Sequence, residues 1–169
     1  MPFWRLYYHL VWATKDRQPL IESEVEDRLF AHLVAKASEM GCYVYAVNAW
    51  VDHVHMLIAI PPKRSVAEVV KNLKGASSHF LNHFTEQEFG FAWQRGYGAL
   101  SLGERQLPIA EEYIAKQKMH HDQHSCNGWL ERDTEFDEGP IDIGAIGVAT
   151  DSGSMQESCG IYAPDVSPF

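Results

Sequence analysis

Two histidines one residue apart, His53 and His55, are the part of this sequence best suited to chemistry. They lie in the run Trp50-Val51-Asp52-His53-Val54-His55-Met56-Leu57-Ile58-Ala59-Ile60. Apolar and β-branched residues mark that run as a strand, and Pro61-Pro62 ends it. Strand side chains alternate between faces, so both imidazoles point one way while Val54, Met56 and Ile58 point toward a core. Two imidazoles so placed can hold one metal ion; they can equally be two polar residues on an exposed sheet face. Tyr113 and Gln117 form a second pair, four residues apart and so on one face of a helix, with His120 and His121 extending that face. A tyrosine hydroxyl that loses its proton is a nucleophile toward phosphorus, and a nearby cation helps that loss. A glutamine carbonyl is a neutral oxygen ligand that could complete a site begun by two imidazoles. Taken alone, Tyr113 also reads as a packed ring and Gln117 as a solvated side chain. Asp52 points to the opposite face of a regular strand, and no further histidine or carboxylate motif has a defined spacing.

The elements that must position these residues follow from periodicity. Residues 3–14 read as a strand with Trp4, Leu6, Tyr8, Leu10 and Trp12 on a core face. Arg5, Tyr7, His9 and Val11 form the other, partly polar face, fit for a ligand or for solvent. Ser23 with Glu26 makes a capping box ahead of a helix buried through Val25, Leu29, Phe30, Leu33, Ala37 and Met40, with Gly41 as its stop. Residues 42–50 pair with the histidine strand as a hairpin around Val51-Asp52. Ser65 with Glu68 opens a second helix with a stripe of Val66, Val69, Val70, Leu73, Phe80, Leu81 and Phe84. Lys71, Lys74, Ser78 and Asn82 lie off that stripe, facing solvent or phosphates. Residues 91–102 read as a glycine-broken fourth strand. A third helix runs from about Pro108 to His124, its proline and acids early and its basic residues late, as the helix dipole favours. The order β-α-β-β-α-β-α predicts an α+β, ferredoxin-like (RRM-like) antiparallel sheet with two helices on one face and the third helix free to serve the other.

Length suits one domain with a core of its own. No apolar run approaches the roughly 20 residues of a membrane-spanning helix. No basic segment leads into an apolar one at the N-terminus, so no signal peptide is expected. Cys42, Cys126 and Cys159 are odd in number and scattered, which fits a reducing cytoplasm better than a disulfide framework or a zinc site. The net charge of −9 is unevenly held: residues 1–124 carry 13 Lys+Arg against 14 Asp+Glu, and residues 125–169 one Arg against nine acids. The near-neutral head with clustered positive charge therefore leaves nucleic acid open as a partner. Residues 125–169 hold six of the twelve glycines and three of the eight prolines. They read as a poorly ordered acidic appendage to a domain of residues 1–124.

Together these residues resemble the single-tyrosine HUH transposases, the small insertion-sequence enzymes and their REP-associated relatives. His53-Val54-His55 matches the histidine–hydrophobic–histidine motif, and Tyr113-Ile114-Ala115-Lys116-Gln117 matches the catalytic segment. His9-Leu10-Val11-Trp12-Ala13-Thr14-Lys15 is similar to the usual first strand, and Trp93-Gln94-Arg95-Gly96-Tyr97-Gly98-Ala99 to the segment before the tyrosine helix. The resemblance covers roughly residues 3–124. It implies that His53, His55 and Gln117 hold one divalent ion, Mg²⁺ or Mn²⁺, at the scissile phosphate of single-stranded DNA. It implies that Tyr113 attacks phosphorus to leave a 5′-phosphotyrosine and a free 3′-hydroxyl, which later rejoins DNA. It further implies DNA hairpins as targets and a homodimer whose tyrosine serves its own or its partner's site. No nucleotide cofactor is expected, because the covalent link keeps the bond energy and no Gly-rich phosphate loop is present. Arg5, Lys71, Lys74, Arg95 and Arg105 are the expected DNA contacts. Two imidazoles and an amide are a soft set for Mg²⁺.

Other readings stay open at this level. A ferredoxin-like sheet can bind single-stranded nucleic acid without catalysis, stacking bases on Tyr7, Tyr43 or Tyr45. A small hydrolase could use His53 and His55 with a metal-bound water and would not need Tyr113. Tyr97 is a second nucleophile candidate, although its glycine-flanked setting reads better as a turn. The acidic tail is either an inert extension or a phosphate mimic lying over the DNA groove.

Overall fold

Alternating apolar positions build four strands: β1 (Tyr7–Ala13), β2 (Tyr43–Trp50), β3 (His53–Ala59) and β4 (Gly98–Leu102). In the computed structural model, which describes residues 3–84, 90–128 and 130–134, they form one sheet in the order β2-β3-β1-β4. Every neighbouring pair is antiparallel, the expected ferredoxin-like arrangement. The register sets Val11 and Asn48 beside His55, and Ala13 and Trp50 beside His53. The edge strand β2 carries a bulge between Val44 and Ala46.

One sheet face packs under α1 (Ser23–Glu39) and α2 (Val66–Phe84). Leu10, Trp12, Val54, Met56 and Ile58 meet Leu29 and Leu33 of α1 and Val69 and Leu73 of α2, all fully buried. Each such side chain contributes about 1.5–3 kcal/mol by leaving water. On the other face Tyr7, Leu57, Ala59 and Leu102 pack against Ala110 and Ile114 of α3 (Leu107–Ala115). A short α4 (Gln117–Asp122) follows.

Several local expectations are corrected. The first strand starts at Tyr7, so alternation does not extend to residues 3–6. Trp4 accordingly packs on the α3 side rather than with Leu10 and Trp12. Tyr7, His9 and Val11 are buried rather than open to solvent. The Ser23–Glu26 box does not form: Glu22 is the N-cap without a side-chain bond, and Glu26 accepts from Lys118 Nζ at 2.7 Å. Only half of the second box forms, with the Glu68 amide donating to Ser65 Oγ at 3.1 Å. Residues 91–97 are not strand, apart from a Thr14–Trp93 bridge.

On the polar side of α2 Lys71 faces solvent, while the other three residues bind the chain itself. Lys74 Nζ donates to the carbonyls of Gln94 (2.6 Å) and Gly96 (2.7 Å). Ser78 and Asn82 both donate to the Phe91 carbonyl, at 2.9 and 2.8 Å. These side chains clip the segment after α2 to the helix.

The third helix is two helices, broken at Lys116 (φ −95, ψ 12). Asn48 Nδ2 donates to the Ile114 and Ala115 carbonyls at 2.7 and 3.3 Å, taking the acceptors on which α3 ends. The chain then returns to the sheet: Leu130 is 1% exposed, and the Arg132 carbonyl lies against Gly98. The side chain of Phe84 and residues 135–169 lie outside the described residues. Among the described residues no helix is long and apolar enough to cross a membrane.

A Cβ on Gly98 would stand 2.0 Å from the Arg132 carbonyl oxygen and 2.7 Å from Val11 Cγ1. Gly98→Ala is therefore expected to lower stability by about 1–3 kcal/mol, measured by urea unfolding. An unchanged midpoint would mean that the returning segment does not pack on β4.

Candidate active site

Strand alternation places His53 and His55 on the α3 face, and α3 with α4 covers them; they are 1% and 0% exposed. The exposed-face alternative is thereby removed. A buried imidazole needs a partner at each ring nitrogen. His55 Nδ1 meets His9 Nε2 at 2.9 Å, the two rings stacked. His53 Nδ1 meets Asp52 Oδ1 at 2.5 Å. The expectation that Asp52 points away fails because Asp52 lies in the hairpin turn, where alternation does not apply. Asp52 in turn lies 3.6 Å from Arg17. Both Nε2 atoms are left facing one space.

Tyr113 and Gln117 enter that space from opposite sides of the Lys116 break. The meeting point is a carboxylate, Glu131. Its Oε2 lies 3.0 Å from His53 Nε2 and 3.1 Å from His55 Nε2. Its Oε1 accepts from Tyr113 Oη at 2.7 Å and from Gln117 Nε2 at 3.0 Å. The Asn127 amide donates to Tyr113 Oη at 3.1 Å. Leu130 lines a small space with His9, Ala110 and Tyr113, and Asp133 pairs with Arg17. The appendage expected from residue 125 onward thus begins as part of the site. His121 lies 3.1 Å from His53 Nε2 and stacks on Trp50, while His120 stacks on the Tyr113 ring.

Charge is tightly arranged. Burial opposes a proton on His53, but hydrogen bonds to Asp52 and Glu131 outweigh it and hold this imidazole above its usual range. Burial wins at His55, which is pushed down despite Glu131. Burial, then His55, pushes His9 down to about 3. Burial would raise Glu131, yet hydrogen bonds from His53 and His55 keep its carboxyl well below the usual range. Tyr113 is pushed up by burial and then by its bond to Glu131, so its hydroxyl keeps its proton in this state.

The donor set fits a cation. Gln117 Oε1 is buried without a hydrogen-bond partner while its Nε2 lies 3.4 Å from His53 Nε2, so turning the amide over would satisfy the oxygen with an ion at the histidines. His53, His55 and Glu131 have ligand atoms close enough to share one ion. The five basic residues do not converge there. Arg5 stacks over Phe3 and lies 3.3 Å from Glu104; Lys71, Arg95 and Arg105 are exposed; Lys74 is committed to its two carbonyls. Tyr97 packs against the main core.

The family model described as "Transposase IS200 like" matches residues 2–117. The ISDra2 transposase TnpA of Deinococcus radiodurans is 32% identical over 119 residues, 68% of this chain and 85% of that protein. The transposase for insertion sequence element IS200 of Salmonella typhimurium is 32% identical over 120 residues, 68% and 78% of the two chains. A solved Deinococcus radiodurans structure, assigned as a transposase, superposes with a TM-score of 0.57 at 31% identity, covering 69% of this chain and 93% of that one. A REP-associated tyrosine transposase bound to a REP hairpin shares the fold with a TM-score of 0.54 at 13% identity, covering 76% of each chain.

With an ion on His55 Nε2, the Nδ1–H of that ring would have His9 Nε2, 2.9 Å away, as its acceptor. His9→Leu keeps bulk but removes that acceptor. It is expected to weaken divalent-ion binding about 10- to 100-fold, read by calorimetric titration with Mn²⁺. Unchanged affinity would show that His9 serves packing alone.

Proposed function

Because the chain belongs to the IS200-like transposases, a family of DNA strand transferases, we propose that it cuts and rejoins single-stranded DNA at hairpin-flanked ends through a 5′-phosphotyrosine on Tyr113. The observation that carries this reading is convergence: Tyr113 Oη, His53 Nε2, His55 Nε2 and Gln117 Nε2 all lie within hydrogen-bond distance of one carboxylate, so the nucleophile, both imidazoles and the glutamine meet at one point. The hairpin-bound relative supports hairpin DNA as the target.

His53, His55 and Gln117 would hold the divalent ion, Mg²⁺ or Mn²⁺. When bound, it supplies positive charge against the phosphate oxygens. His9 and Asp52 fix the two imidazoles so that each presents Nε2. Tyr113 loses its proton, its oxygen bonds phosphorus, and the bond from phosphorus to the 3′-oxygen breaks. The leaving oxygen takes up a proton as a free 3′-hydroxyl. A 3′-hydroxyl later attacks the phosphotyrosine and releases Tyr113. One phosphodiester replaces another, so no nucleotide is consumed.

Tyr113 stands at its own chain's histidines. A homodimer is the working unit, since moving an element needs two cut ends and each chain has one nucleophile. Lys71, Arg95 and Arg105, exposed, and Arg5 are the DNA contacts we retain, while Lys74 serves the loop. The free thiols of Cys42 and Cys126 suit action in the cytoplasm.

Labelled single-stranded DNA from the flanks of the gene, incubated with Mn²⁺, is expected to give a protein–DNA adduct that survives denaturation. Tyr113→Phe, His53→Ala and chelation of the metal should each cut adduct formation by at least about a thousandfold. Tight hairpin binding without adduct would make the protein a binding module instead.

A further inference from the structure

The family model ends at residue 117, yet the site draws in a residue well beyond it. Glu131 Oε2 is 3.0 Å from His53 Nε2 and 3.1 Å from His55 Nε2. Adjacent donors around an octahedral ion held at about 2.1 Å stand about 3.0 Å apart. Each imidazole Nε2 therefore stands from the carboxylate oxygen at the spacing of neighbouring corners of a coordination shell, and the ligand atoms of all three residues lie within 4.8 Å of one another. The chemistry fits as well. Two imidazoles and an amide oxygen are all neutral, and the imidazoles are borderline donors, whereas a carboxylate is a hard anionic donor that suits Mg²⁺ or Mn²⁺.

The position of Glu131 is built. Leu130 beside it is buried, Asp133 beyond it pairs with Arg17, and the Arg132 carbonyl fills the gap that Gly98 leaves open. The other carboxylate oxygen is the acceptor of the Tyr113 hydroxyl at 2.7 Å.

We propose that Glu131 is a fourth donor to the metal, so that one carboxylate joins the ion on Oε2 to the nucleophile on Oε1. This rests on the metal site of the preceding section and adds to it an anionic ligand from the C-terminal segment. Its consequence is that metal binding and the placement of Tyr113 are coupled. An ion that holds Oε2 also holds the acceptor that sets the position of the tyrosine oxygen.

Mn²⁺ binding to the DNA-free, full-length protein tests it, with unbound Mn²⁺ read by its electron paramagnetic resonance signal. The wild type is expected to bind one Mn²⁺ and His53→Ala to lose it. Glu131→Gln should bind at least about tenfold more weakly, and Glu131→Asp should fall between. Glu112→Gln, which removes an exposed charge paired with Lys116, should leave affinity unchanged. Melting in chelator by circular dichroism shows that each variant is folded; if Glu131→Gln is not, Glu131→Asp carries the test alone. Glu131→Gln within twofold of wild type, while His53→Ala has lost the ion, overturns the fourth donor and leaves the proposed metal site standing. No Mn²⁺ uptake by wild type overturns both. Retained affinity with faster adduct formation in Glu131→Gln would instead make the carboxylate a stand-in for the DNA phosphate, and the proposal would fall.

Discussion

Burying two imidazoles side by side is the constraint on which this structure turns. Each ring brings two polar nitrogens into a region from which water is excluded, and an unsatisfied nitrogen there costs about 1–3 kcal/mol. The fold answers with three separate pieces of chain. The sheet register brings His9 to His55, and the hairpin turn brings Asp52 to His53. The returning segment brings Glu131 to both Nε2 atoms. The same dryness that makes partners obligatory strengthens every charge inside the site. A catalytic arrangement and a stability requirement are here one set of hydrogen bonds.

How much of this was legible in the sequence depends on range. The shared face of His53 and His55 needs only the two-residue period of a strand, and the apolar stripes of α1 and α2 need only the helical period. Tyr113 and Gln117 are found by spacing, although the single helix assumed for them is broken. At the break its carbonyls are taken by Asn48, 66 residues from Ile114, and nothing in Ala115-Lys116-Gln117 announces a stop. Glu131 is 76 residues from His55 and sits in a stretch whose acids and glycines read as solvated chain. Composition averages over such a segment, whereas the site uses one residue of it. Asp52 was misplaced because alternation was carried one residue too far, into a turn.

The polar side of α2 shows a related substitution of roles. Lys74, Ser78 and Asn82 have the spacing of a solvated or phosphate-binding stripe, yet they hold residues 91–96 by their carbonyls. Trp93 adds a bond from Nε1 to Ser77 Oγ at 2.9 Å. Backbone that pairs with no strand must still satisfy its polar groups, and side chains of the neighbouring helix do so here. The segment is thereby as fixed as a strand, and its bridge to Thr14 ties it to the end of β1, next to the histidines.

The bulge between Val44 and Ala46 has a consequence outside the active site. β2 is an outer strand, and an outer strand offers unpaired amides and carbonyls to any extended chain that meets it. At high local concentration such an edge can zip onto the same edge of another copy and grow into aggregate. One extra residue throws the two halves of β2 out of phase and twists the strand, so a straight neighbour cannot bond along its whole length. With Tyr43 and Tyr45 exposed on either side of Val44, this irregularity keeps a sticky margin from acting as a template for self-assembly.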